Sequence, residues 1–90
     1  MTASRSSDGA PRATPADIEE ILITRTGADP DVLCGQLHVA LEDLWVDSLA
    51  VLELQAATTA RFGVGVPDDA LTMSTAALAA YINERLAGVD

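Results

Sequence analysis

Apolar residues recur at helical spacing in three parts of this chain. In the first, Ile18, Ile21, Leu22 and Arg25 fall on one face, with Glu19 and Glu20 outside it. Thr14 is a good N-cap, Pro15 fits the first helical position, and Asp17 sits where a carboxylate can return the capping hydrogen bond. Gly27 supplies the stop. The second helix is predicted to open with Asp47 as N-cap and Ser48 as its first residue. Val51, Leu54, Thr58 and Phe62 line its core face. Leu49, Leu52 and Ala56 form a smaller apolar stripe beside it, with Glu53 at the edge. A helix apolar over so wide an arc is either buried or offers part of its surface to something else. Arg61 suits the C-terminal end of its dipole, and Gly63 ends it. The third helix is capped by Ser74, buries Leu78, Tyr81, Ile82 and Arg85-Leu86, and stops before Gly88.

The segments between are shorter or ambiguous. Val64-Gly65-Val66-Pro67 reads as an extended connector, after which Asp68 and Asp69 cap a brief helical turn through Leu71. Over residues 28–46, Leu33, Leu37, Leu41 and Leu44 make a helical stripe, while Leu37, Val39 and Leu41 also alternate as in an extended segment. Gly35 and β-branched Val39 weaken the helix, yet pattern alone still favours one. Residues 1–13 are small and polar, cannot bury enough apolar surface to offset the entropy of ordering, and read as a disordered tail. The whole is an all-α chain: three main helices plus one short helix, packed as a small four-helix bundle spanning residues 14–88. So small a core implies modest stability.

Charge narrows the partners. The 90 residues carry 14 acids against five arginines and no lysine, a formal net charge of −9. That repels nucleic acid and anionic membranes and attracts basic protein surfaces. A single cysteine, Cys34, permits no internal disulfide and fits a reducing compartment; without a base beside it, it reads as a packed or idle thiol. No apolar run is long enough to span a bilayer, and the N-terminus lacks a signal-peptide core. These observations lead us to expect a cytoplasmic monomer.

The chemistry concentrates at Leu44-Trp45-Val46-Asp47-Ser48-Leu49. A serine opening a helix stands where free N–H groups and the positive end of the dipole favour an anion, so a phosphate attached there would be well placed. A hydrolase triad could be drawn from Ser48, His38 and Asp47, but no strand–Gly-x-Ser-x-Gly elbow or oxyanion-hole loop accompanies it. Scattered carboxylates with one Cys and one His make no closed metal-ligand set. A non-covalent helical interaction module, using the Leu49/Leu52/Ala56 stripe and leaving Ser48 unmodified, is the serious rival to a covalent role.

Four elements in order decide between these readings: Asp47-Ser48-Leu49, Leu52-Glu53-Leu54, Arg61-Phe62-Gly63-Val64 and Val66-Pro67-Asp68-Asp69. Together with the Tyr81-Ile82 helix they resemble the acyl carrier proteins over residues 14–88. The resemblance implies a four-helix bundle with a long first loop over 28–46, against the pattern's preference for helix. Leu33, Leu37, Leu41 and Leu44 would then anchor a loop. It implies 4'-phosphopantetheine, taken from coenzyme A by a Mg-dependent phosphopantetheinyl transferase and attached to Ser48, with Asp47 and Leu49 flanking the attachment point. The arm's thiol would carry acyl groups as thioesters, and the protein itself would not be an enzyme. Leu49, Leu52 and Glu53 match partner-contacting positions; Val51, Leu54, Ala57 and Thr58 match inward-facing ones. Ala56, Asp68 and Asp69 complete the expected partner surface, met by acyltransferases, ketosynthases or acyl-activating enzymes with basic docking surfaces.

Two departures refine the expectation. Trp45, the only tryptophan, stands where the family usually has glycine. Its ring is expected on the bundle, on the arm or in a partner's footprint. The central helix is also poor in acids: positions often acidic in fatty-acid carriers are Ala50, Thr59, Ala60 and Arg61. That points away from a general fatty-acid carrier and towards a bacterial polyketide or related specialised pathway. The Asp before the serine also disfavours a peptidyl carrier.

Overall fold

A computed structural model describes residues 12–87 and shows an all-helical chain. Three long helices and one short helix follow in order: α1 (Pro15–Thr26), α2 (Pro30–Leu33), α3 (Ser48–Phe62) and α4 (Thr75–Ala87). Single 3-10 turns at Leu41–Leu44 and Ala70–Thr72 punctuate the two long connectors.

The ends of these helices follow local chemistry. Thr14 and Asp17 form a reciprocal capping box: the Asp17 N–H donates to Thr14 Oγ1 (3.2 Å), and the Thr14 N–H donates to Asp17 Oδ2 (3.0 Å). Asp47 Oδ1 accepts the Ala50 N–H at 2.9 Å and so starts α3. Ser74 Oγ accepts the Ala77 N–H at 3.1 Å and starts α4. Gly27 and Gly63 close α1 and α3 in the left-handed conformation, which costs a residue without Cβ little.

Packing is centred on α1, which lies against both α3 and α4. Ile18, Leu22, Leu54, Leu78 and Ile82 are fully buried where they meet. Each such side chain contributes roughly 1.5–3 kcal/mol of transfer free energy. The expected core face of α3 is observed: Val51, Leu54, Thr58 and Phe62 are buried, with Ala50 and Ala57. Buried Thr58 satisfies its hydroxyl by donating to the Leu54 carbonyl at 3.0 Å. On α4, Leu78 and Ile82 are buried as expected, but Tyr81 and Leu86 are half-buried and Arg85 is exposed, lying over the Tyr81 ring at 5.3 Å.

The segment 28–46 is a loop holding α2 and the first 3-10 turn, so the helix favoured by its leucine spacing does not form. Leu33, Leu41 and Leu44 are buried, but Leu37 is exposed and anchors the loop through its backbone. The Ala76 N–H donates to the Leu37 carbonyl, and the Leu41 N–H to the Met73 carbonyl, both at 3.0 Å. One backbone bond to the segment before α4 and one to its first turn thus replace the i→i−4 ladder that a helix would have needed.

Three smaller expectations also shift. The turn after Pro67 is 3-10 rather than α-helical and runs to Thr72; Asp69 starts it through its carbonyl, which accepts from Thr72, and not through its carboxylate. Cys34, read as a packed or idle thiol, is exposed, which leaves the idle one of the two. Of the tail expected over 1–13, residues 1–11 lie outside the described residues, as does Gly88. Ala13 is buried, and Asn83 grips it at 2.8 Å on both sides, accepting its N–H and donating to its carbonyl. Among the described residues no helix is long and apolar enough to cross a membrane.

Candidate functional site

The site is the junction where the long first loop enters α3. The first 3-10 turn ends at Trp45, whose φ of 66° is left-handed; it is the only non-glycine residue with positive φ among the described residues. The chain must reverse there, because Val46 dips back into the core and donates its N–H to the Leu41 carbonyl at 3.2 Å. A bulky residue in this conformation is strained by roughly 1–2 kcal/mol, since its Cβ crowds the backbone. The indole gains little packing in return: Trp45 is 90% exposed. Of the three places expected for its ring, packing onto the bundle is therefore excluded.

Ser48 follows as the first residue of the 15-residue α3 and is exposed. At this position the N–H groups of Ser48 and Leu49 have no carbonyl one turn back to bind, and only that of Ala50 is taken up, by Asp47. An anion on the Ser48 hydroxyl would meet those donors and the positive end of α3. The residues present thus fit a phosphate-linked group: an accessible hydroxyl, free donors, and no wall over it. Asp47 is committed to capping, and His38 is exposed on the loop, so neither is arranged as a general base for Ser48.

Two hollows flank the start of α3. A cleft of about 180 Å³ is lined by Ser48, Leu52, Gln55, Asp68 and Leu71. On the other side, a groove of about 610 Å³ lies between α3, the end of α1 and the loop, with Trp45, Asp47, Leu49 and Glu53 on its wall. Leu49 is 67% and Leu52 60% exposed, so the second apolar stripe faces outward, and exposed Ala56 continues it. The expected partner-facing residues are therefore divided between the two hollows, with Ala56 and Asp69 lining neither. Asp68 accepts a hydrogen bond from Gln55 Nε2 at 3.1 Å, which also donates to the Val66 carbonyl, so its carboxylate helps hold the second connector. Ala50, grouped with positions often acidic in related carriers, is buried and has no room for a charge; Thr59, Ala60 and Arg61 are exposed.

The far wall of the groove has no local signature along the chain. Arg25, Asp29 and Val32 reach it only because the loop folds back against the end of α1. Among the described residues no group of His, Cys, Asp or Glu could hold a metal ion.

Comparison with known proteins agrees with this geometry. The family profile described as "Phosphopantetheine attachment site" matches residues 16–83. The chain is also similar to an acyl carrier protein of Zymomonas mobilis, with 36% identity over 58 residues covering 64% of this chain and 73% of that protein. No solved structure matches. The profile covers α3 and the junction at Ser48 entirely, with most of α1 and α4, and its defining group is 4'-phosphopantetheine. The chain belongs to the acyl carrier protein family.

Proposed function

We propose that Ser48 is the attachment point of the 4'-phosphopantetheine arm, and that the protein carries acyl groups between enzymes of a specialised, polyketide-type pathway. The observation that carries the first part is the exposed Ser48 hydroxyl at the first position of α3, next to free N–H donors. When bound, the arm supplies a terminal thiol that holds acyl groups as thioesters. In loading, Ser48 Oγ attacks the phosphorus that bears pantetheine in coenzyme A and gives up its proton to a base of the transferase. The phosphoanhydride P–O bond breaks, and adenosine 3',5'-bisphosphate leaves. Asp47 contributes by fixing the first turn of α3, which keeps the hydroxyl and the donors in register.

The second part rests on surface chemistry. Beyond Asp47, α3 presents one acid, Glu53, while its exposed apolar residues are Leu49, Leu52, Ala56 and Ala60. Acids cluster instead at Glu42, Asp43, Asp47, Asp68 and Asp69. A partner would meet an apolar patch with acidic margins, which suits enzymes with apolar docking pockets ringed by arginine. Trp45, Leu49, Leu52, Glu53, Ala56, Asp68 and Asp69 form this docking surface, and the transferase, acyltransferases, ketosynthases or acyl-activating enzymes are its partners.

The test is direct. The protein is incubated with coenzyme A, Mg²⁺ and a promiscuous phosphopantetheinyl transferase, and its intact mass is measured. The wild type is expected to gain one phosphopantetheine and Ser48→Ala none. An unmodified wild type, or modification that persists in Ser48→Ala, would overturn the assignment.

A further inference from the structure

Two polar side chains are fully buried among the described residues, Thr58 and Thr75, and they are treated differently. Thr58 lies inside α3 and donates to the Leu54 carbonyl one turn back. Thr75 is the first residue of α4, so no preceding turn offers its hydroxyl a carbonyl, and it has no hydrogen-bond partner among the described residues. A hydroxyl buried without a partner costs free energy that contact with water recovers. Thr75 also marks where such an opening would run. It stands between Met73 and Ala76, the two residues through which the first loop is bonded to the start of α4. A seam of two backbone bonds over an unpaired hydroxyl is held less firmly than the repeated ladder of a helix.

The seam reaches the junction at Ser48 through one residue. The Leu41 N–H donates to the Met73 carbonyl, and the Leu41 carbonyl accepts the N–H groups of both Trp45 and Val46. Leu41 thus holds the left-handed reversal that aims the chain into Asp47 and α3. The geometry points to a latch: residues 37–41 lift from the start of α4 as a unit, the Thr75 hydroxyl reaches water when they do, and the first turn of α3 loosens with them. Its coupling to the arm rests on attachment at Ser48. A phosphate there binds the N–H donors of a formed first turn only, so by linkage loading closes the latch. The first loop is then looser before loading than after it, which gives partner enzymes a difference to read away from the arm itself.

Amide hydrogen exchange of the full chain, resolved by residue with NMR, tests both parts. In the unloaded protein the Leu41 and Ala76 amides are expected to exchange faster than that of Leu54, which is buried within α3 and opens with the whole fold. Thr75→Val keeps the shape of the side chain and removes its hydroxyl. It should slow Leu41 and Ala76 about tenfold, and Leu54 by the same factor, because the hydroxyl is wet in both openings. Loading the wild type from coenzyme A, verified by intact mass, should slow Leu41 and Ala76 about twofold or more. Leu41 exchanging as slowly as Leu54 in the wild type would overturn the latch. So would a Thr75→Val variant that slows Leu54 alone, since the hydroxyl would then meet water only on global unfolding, or one that exchanges faster throughout, since the hydroxyl would then be satisfied in the fold. Unchanged exchange at Leu41 and Ala76 after verified loading would overturn the coupling while attachment stands. A mass that shows no loading would instead overturn the attachment reading, and the coupling with it.

Discussion

The two ends of α3 are built from similar residues and treated in opposite ways. At the C-terminal end Phe62 is 8% exposed, and Arg61 bridges back to α1, 3.0 Å from Asp17 and 3.7 Å from Glu20, with its guanidinium 5.5 Å over the Phe62 ring. At the N-terminal end Leu49 and Leu52 are just as apolar and stay in solvent, behind a tryptophan with hardly any packing. Phe62 falls on the helical face that buries Val51 and Leu54, whereas Leu49 and Leu52 fall on the neighbouring stripe. The start of α1 is tied to the C-terminal end of α3 through Arg61 and Asp17, whereas at the N-terminal end a groove separates Leu49 from the end of α1 and the loop. One end of the helix is tied across to α1, and the other leaves its second apolar stripe in solvent.

The largest effect that would test this contrast is Phe62→Ala. Removing a buried aromatic ring is expected to cost about 3–5 kcal/mol, enough to unfold much of so small a domain. Leu49→Ala, with a side chain of similar character on the same helix, is expected to stay within about 0.5 kcal/mol. Thermal or urea unfolding followed by circular dichroism checks both. Comparable losses would mean that the open end also carries the fold.

That contrast also sets what could be read from the sequence. The helix ends were legible because they are local: Thr14 with Asp17, Asp47, Ser74, Gly27 and Gly63 act on their own neighbours. The core face of α3 was legible because its period matches its burial. The stretch 28–46 was misleading, because its four leucines fit a helix while their anchoring depends on Met73 and on Ala76 in α4. Pattern reading has no access to such partners. Asn83 escaped for the same reason: nothing in its neighbourhood marks it as the clamp on Ala13, 70 residues earlier. At the site, Asp47-Ser48-Leu49 was visible, but the groove was not, since Arg25, Asp29 and Val32 come to it from other segments.

Asp47→Ala probes the open end from within. It removes the acceptor for the Ala50 N–H and is expected to cost roughly 1 kcal/mol, within the usual 0.5–2 kcal/mol for an N-cap. Because the first turn of α3 frays when its cap is lost, loading at Ser48 should slow more than stability alone would explain. Asp47→Asn, which keeps an acceptor at this position, should recover most of the stability. The pair is read by unfolding midpoint and by the rate of mass gain with the transferase. Equal rates in Asp47→Ala and the wild type would show that the cap serves the fold alone.

A last effect, smaller than that of Asp47→Ala, has the opposite sign. Trp45→Gly relieves the left-handed strain, worth roughly 1–2 kcal/mol, but adds the conformational freedom of glycine to the unfolded chain, roughly 0.5–1 kcal/mol. The net is a gain of about 0.5–1 kcal/mol, or an unfolding midpoint higher by several degrees in a domain of this size. Loading at Ser48 should continue, because the hydroxyl and its donors are untouched, while the rates of acyl transfer to and from different partner enzymes should diverge from the wild type. A variant more stable than the natural protein and yet altered in selectivity would show that the indole is kept for its contacts despite its cost to the backbone. Unchanged transfer rates with every partner would leave the exposed ring without a role at the docking surface, and an unfolding midpoint below that of the wild type would show that the ring packs more than its exposure indicates.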